Sequence, residues 1–137
     1  MSWKYGYATV EALDSMLMKD TEIDKTTLLK KLFNNEIMMA IDTNGNPIGY
    51  LRYSLFWDEV PHLNMIVLDE AFRQLGAGKG LLLFWEAEMK RMGYNLLITT
   101  AAHNRVEQHF FRKMGYQDSG SFLFASLPLQ IIFSKSV

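Results

Sequence analysis

An apolar run, Leu63 to Leu68, is followed by RQLGAGKG at residues 73–80, which holds three glycines in five positions. A helical pattern, Leu81 to Met92, comes next, and then NLLITTA, 95–101, reads as a second strand. Strand, loop, helix and strand at this length make a βαβ unit. The expected right-handed crossover makes strands 62–68 and 95–101 parallel neighbours. Nothing else in the chain limits its topology as strongly.

The flanking segments fit around this unit. In the first third, Thr9 is a candidate cap for a helix carrying Leu13, Met16 and Leu17. Asp24 is a candidate cap for a second helix, with Leu28, Leu29, Leu32 and Phe33. IMMAID, 37–42, reads as a strand, TNGNP as a hairpin turn, and IGYLRYSLFW, 48–57, as the returning strand. DEVP reads as the next turn, leading into HLNMIVL, 62–68. Leu82, Trp85, Met89 and Met92 recur at helical spacing, and Glu86 and Lys90 stand in the favoured i, i+4 order. Gly93 suits the helix end. A short helix from Asn104 to Met114 stops at Gly115, and YQDSGSFLF and LPLQIIFSK read as two closing strands. The reading is a mixed α/β sheet in one domain spanning residues 1–137.

Composition narrows the function classes. A chain of 137 residues, 49% hydrophobic, can bury about two thirds of its unfolded surface. Fourteen basic against fifteen acidic residues, net −1, give no electrostatic footprint for nucleic acid or an anionic membrane. No cysteine is available for a disulfide or a thiol nucleophile. The longest apolar stretch falls short of the ~20 residues of a membrane span. The first residues, MSWKYGYATVEALD, lack the basic and apolar regions of a signal peptide. A cytoplasmic location is expected.

Glycines at a strand-to-helix junction let the backbone turn tightly and approach a ligand closely. The helix beyond begins with unpaired N–H groups and the positive end of its dipole, which together suit an anion, most often phosphate. Three phosphate loops compete. A P-loop needs glycine at 73 and Ser or Thr at 80, where Arg73 and Gly80 stand. The dinucleotide fingerprint needs glycine at 81 and an acidic residue ending the next strand, but Leu81 and ITTA are found. The third pattern, Arg73-x-x-Gly76-x-Gly78 after an apolar strand, fits.

That pattern resembles the pyrophosphate loop of the GNAT family, the Gcn5-related N-acetyltransferases. NRVEQHFFRKMGY, 104–116, resembles the family's other signature, an Asn-started helix with an aromatic pair and a final Gly-aromatic. The likeness covers roughly residues 48–124. It implies a GNAT fold: a mostly antiparallel sheet of about 6–7 strands with a central parallel pair, flanked by about four helices. It also implies acetyl-CoA as co-substrate, with direct attack of an amine on the thioester. The amides of Gln74, Leu75, Gly76, Ala77, Gly78 and Lys79 would hold the pyrophosphate, with Arg73 and Gly80 flanking them. The main chain of Ile66, Val67 and Leu68 would pair with the pantetheine like an added strand. Asn104 either caps its helix, with Glu107 three residues on, or also reaches coenzyme A.

For the chemistry, a backbone N–H on strand 62–68 can polarise the thioester carbonyl. This strand has no Asp or Glu. His62 and Asn64 share one of its faces, and HLN resembles the HLH stretch of the family's arylalkylamine branch. His62 is the candidate base, since an unperturbed imidazole titrates near ~6.5. Asp58 and Glu59 are alternatives, or they attract a cationic amine. Phe111 occupies the place where the family usually has a Tyr that protonates the leaving sulfur, so either water does this, another Tyr such as Tyr116 reaches in, or the protein is a weak catalyst. His103 and His109 lack metal-ligand spacing, and no metal is expected. LRYSLFWDEVPHLN, 51–64, is expected to line the acceptor side, for a small-molecule or peptide amine, and the resemblance leaves a homodimer open. A catalytically weak acyl-CoA-binding or regulatory module of the same fold is the competing reading, and a plain interaction domain the third.

Overall fold

The computed structural model describes residues 2–137. Seven strands and four α-helices follow in the order β1 (Trp3–Tyr7), α1 (Leu13–Lys19), α2 (Lys25–Phe33), β2 (Ile37–Asp42), β3 (Pro47–Phe56), β4 (Val60–Leu68), α3 (Ala77–Arg91), β5 (Leu96–Ala102), α4 (Glu107–Lys113), β6 (Gln117–Phe122) and β7 (Gln130–Ser136). The strands form one mixed sheet in the order β1-β2-β3-β4-β5-β7-β6. Its parallel pair is β4 with β5, as the βαβ reading requires, through His62↔Ile98 and Leu63↔Thr99. The chain divides into two compact units, Met1–Tyr53 with Met65–Ala87, and Ser54–Asn64 with Glu88–Val137.

In the first unit, Asp24 caps α2 by accepting the Thr27 amide at 2.9 Å. Asn35, at φ 56°, ends that helix. Met16 of α1 and Leu28 and Leu32 of α2 close over Ile37 and Tyr50 of the sheet. Thr9 caps a 3-10 turn, Val10–Ala12, without a side-chain bond, and α1 follows it. The turn after β2 is held by the Asp42 carboxylate, which accepts from the Asn44 and Asn46 amides at 2.9 Å each. Strand β1 is an addition to the sequence reading. It pairs antiparallel with β2, from Trp3↔Asp42 to Tyr7↔Met38. Its Trp3 and Tyr5 pack on a second small core of Ala40, Ile48 and Ala77.

In the second unit, the turn leading into β4 lies at Trp57 and Asp58, with φ of 55° and 60°, so β4 begins at Val60. The expected turn at DEVP therefore sits one residue earlier. Both α3 and α4 end in Schellman motifs. At α3 the Tyr94 amide reaches Met89 O and the Gly93 amide Lys90 O; at α4 the Tyr116 amide reaches Phe111 O and the Gly115 amide Arg112 O, each near 3.0–3.1 Å. Phe111 of α4 is buried against Phe133 of β7. β7 starts at Gln130 rather than in LPL, leaving Leu123, Phe124 and Leu127 exposed between β6 and β7.

Candidate functional site

The glycine stretch lies in the first unit and differs from its expected form in one respect. Helix α3 starts at Ala77, so Gly78 and Gly80 lie in its first turn rather than in the loop before it. The loop proper reverses at Gln74 and Gly76, whose φ angles are 64° and 94°. Gly76 meets nothing within 4 Å at the position of an added Cβ, so its glycine answers to backbone conformation alone. Gly78 answers to space, because a Cβ there would come within 3.0 Å of Leu68 Cδ1 at the end of β4. Gly80 would place a Cβ into the Tyr5 phenol. The first amide to close an α3 turn is Gly80, on Gly76 O at 3.0 Å; the amides before it are those that helix geometry leaves without intrahelical acceptors.

Charge surrounds this turn. Arg73 Nε donates to Leu68 O at 3.3 Å, tying the guanidinium to the end of β4, and Lys79 is exposed on the first turn of α3. Ile66, Val67 and Leu68 are half-buried along β4. A residue outside the sequence reading completes this corner. A Cβ on Gly49 of β3 would strike the Leu68 side chain and lie 2.9 Å from Val67 O. A lone glycine inside a strand is the signal that would have found it.

His62 lies in the second unit, near the start of β4. Its register neighbour on β5 is Ile98, whose own partner on β7 is Ser134, so the three form a row across the strands. On β5, Leu97, Thr99 and Ala101 are buried on one face. Leu96, Ile98 and Thr100 on the other face wall a cavity of about 300 Å³. Phe56, Val60, Phe122 and Ile132 supply the rest of its apolar wall, and Trp57 stands at the turn beside it. Its polar groups are His62, Thr100 and the hydroxyls of Ser119 and Ser134, which bond each other. No carboxylate lines it. Phe56, Trp57, Val60 and His62 come from the expected 51–64 stretch, whereas Leu51 and Tyr53 are buried in the first unit. Asp58 and Glu59 are exposed at the turn and do not line the cavity. The Thr99 hydroxyl donates to Leu63 O at 3.1 Å and fastens the parallel pair beneath this row.

Asn104 does not cap α4. The helix begins three residues later, with Val106 at its N-cap, and Asn104 is exposed in the intervening turn. Gln108 explains the shift: its amide donates to His103 O at 2.7 Å and Arg105 O at 2.9 Å, holding the turn from inside the helix. Phe111 is 4% exposed and packs on Phe110, Tyr116 and Phe133. Tyr116 is buried as well, with Lys135 Nζ 5.5 Å above its ring. His103 and His109 are exposed. Among the described residues no group of three or more His, Asp or Glu is arranged to hold a metal ion, and no helix is long and apolar enough to cross a membrane.

A strand ending at a left-handed glycine turn, a helix starting within the glycines, and one parallel pair in an otherwise antiparallel sheet define a mixed α/β fold with an anion-type turn between strand and helix. The model of the acetyltransferase (GNAT) family matches residues 8–116, and the chain belongs to that family. Solved structures share the fold at low identity. Ard1 from Thermoplasma volcanium superposes with a TM-score of 0.88 at 12% identity, covering 100% of this chain and 99% of that one. The PaiA N-acetyltransferase from Thermoplasma acidophilum, in complex with coenzyme A, gives 0.83 at 17%, covering 100% of both chains. The ribosomal-protein-S18-alanine N-acetyltransferase from Escherichia coli gives 0.79 at 13%, covering 98% of this chain and 94% of that one. Among curated proteins no sequence matches.

Proposed function

We propose that the protein is an N-acetyltransferase that uses acetyl-CoA and passes the acetyl group to an amine by direct attack on the thioester. The observation that carries this reading is the corner of Gly49, Leu68, Gly76 and Gly78. Three of these positions are glycine, each for a reason of backbone conformation or close approach, where β4 meets the start of α3. Left-handed residues at the reversal, followed by the unpaired amides of a helix start, suit a concave donor surface for pyrophosphate. The coenzyme A bound to the Thermoplasma acidophilum relative supports the choice of anion.

In this reading the amides of residues 74–79 hold the pyrophosphate, with Lys79 adding charge, and the main chain of Ile66 to Leu68 receives the pantetheine. A β4 amide polarises the thioester carbonyl. His62, on the same strand, takes the proton that the amine loses on attack. The carbon–sulfur bond breaks and the sulfur leaves as thiolate. Phe111 has no proton to give, and Tyr116 is packed in the core. Solvent therefore protonates the thiolate, whose ordinary pKa near ~8.5 makes it a tolerable leaving group. With His62 as base, kcat/KM should fall on the acid side as the imidazole takes up a proton, and His62→Ala should abolish that limb. The same pH profile in both proteins rules His62 out.

A second reading keeps the fold and the coenzyme A site in a weak or regulatory acyl-CoA-binding module. The buried, hydroxyl-free Phe111 favours it. Calorimetry with coenzyme A combined with a product assay over a panel of amines separates the two. Binding without product supports the module, and binding with product supports the enzyme.

A further inference from the structure

We infer that the cavity beside His62 takes the apolar body of the acceptor, so that the substrate is a primary amine carrying an alkyl or aryl group rather than a polyamine or another multiply charged amine. This rests on the acetyltransferase reading above and assigns its second substrate. The cavity of about 300 Å³ lies at the small end of ligand sites and matches a group of aromatic size. Its wall is largely hydrocarbon, from Phe56, Leu96, Ile98, Phe122 and Ile132. A second cation would find no counter-charge there, because no carboxylate lines the cavity and the two serine hydroxyls are engaged with each other. One basic nitrogen belongs to the wall, that of His62, and it marks the end to which the amine must point. Loss of water from an ammonium entering such a site favours its neutral form, which is the nucleophile. The acids of the preceding turn, Asp58 and Glu59, lie outside this wall.

The test begins with calorimetry of the full chain with coenzyme A. Absence of binding overturns the acetyltransferase reading itself. With binding established, acetyl transfer is measured over the straight primary amines from methylamine to octylamine, with phenethylamine, spermidine and free lysine alongside. The expected result is a rise in kcat/KM of about three- to fourfold per added methylene until the cavity is full, the value that follows from burying each CH₂. Phenethylamine should exceed spermidine by at least about tenfold. Ile132→Ala should move the optimum to a longer chain and Ile98→Trp to a shorter one, both with unchanged affinity for coenzyme A. Such a displaced optimum is something that a loss of stability cannot produce. Transfer that ignores chain length, that prefers spermidine, or that keeps one optimum in both variants overturns the cavity assignment and leaves the acetyltransferase reading standing. If sedimentation shows a dimer that Ile132→Glu dissociates, with no amine preference altered, the cavity belongs to a second copy and the inference also fails.

Discussion

Gly76, Gly78 and Gly80 are glycine for three different physical reasons, and each reason gives a different mutational outcome. At Gly76 the demand is the φ of 94°, at Gly78 it is the approach of Leu68, and at Gly80 it is the Tyr5 ring. Gly78→Val places branched carbon where only 3.0 Å separates a first Cβ from Leu68 Cδ1. It should weaken coenzyme A binding by at least about tenfold in a protein that still folds, and calorimetry beside a circular dichroism spectrum checks this. Unchanged affinity in the folded variant removes the loop from the cofactor site. Phe111 poses the opposite case. Its ring is enclosed by Phe110, Tyr116 and Phe133, so Phe111→Tyr buries a hydroxyl among hydrocarbon. The expected result is a loss of about 1–3 kcal/mol of stability with no gain in kcat. A melting curve and steady-state kinetics on the one variant decide it, and a rise in kcat would show that the position reaches the sulfur.

Helix α3 illustrates how an element departs from its sequence pattern. The hydrophobic periodicity from Leu81 to Met92 marks its body, but the start at Ala77 is set by partners distant in sequence. Tyr5 of β1 stacks on Phe84 and its hydroxyl donates to Ala77 O at 3.3 Å, so the first turn of α3 is built against the first strand. Gly80→Ala would ordinarily stabilise a helix by up to about 1 kcal/mol. Here the methyl would enter the Tyr5 phenol, and the expected outcome is a lower Tm, with a cost on the order of 1–3 kcal/mol. The same long-range dependence explains what the sequence did and did not disclose. Strand β2, the Asp24 cap, the glycine stops at Gly93 and Gly115 and the parallel pair were legible because their signals are local or fixed by βαβ handedness. Strand β1 was not, since WKYGY is short and contains glycine, and only its pairing with β2 makes it a strand. The spacing from Asn104 to Glu107 imitates a capping box, whereas Gln108 holds that turn from the other side. The stretch 51–64 supplies one side of the cavity through Phe56, Trp57, Val60 and His62, which lie close together in sequence. The other walls of the cavity depend on the β5–β7 register, which no single stretch of sequence contains.

For the molecule as a whole, several carboxylates far apart in the chain are held in their ionised form by the fold. The Asp24 carboxyl is drawn below its usual range by the Thr27 backbone N–H, Asp42 by the Asn46 backbone N–H, and Asp118 by hydrogen bonds from Arg112. A carboxyl with a depressed folded pKa contributes stability above its unfolded value near ~3.9 and loses it as pH falls through the lower, folded value. Denaturant unfolding should therefore show stability that is level near neutrality and declines below about pH 4. The decline should be shallower in Asp42→Asn, which has no proton to take up. Equal acid sensitivity in the two proteins would remove Asp42 from this set.

The left-handed turn at Trp57 and Asp58 gives the protein a built-in optical reporter. Its three tryptophans differ in setting: Trp85 is fully enclosed, Trp3 is partly covered, and Trp57 is 78% exposed on the turn beside the cavity, with its ring 4.5 Å from that of Phe56. Indole emission shifts to shorter wavelength as water leaves its surroundings. Filling the cavity with an apolar amine should therefore move the red edge of the spectrum, which Trp57 dominates, and leave the blue contribution of Trp85 in place. The shift should vanish in Trp57→Phe, so occupancy of the cavity can be followed by fluorescence alone, without turnover and without a label.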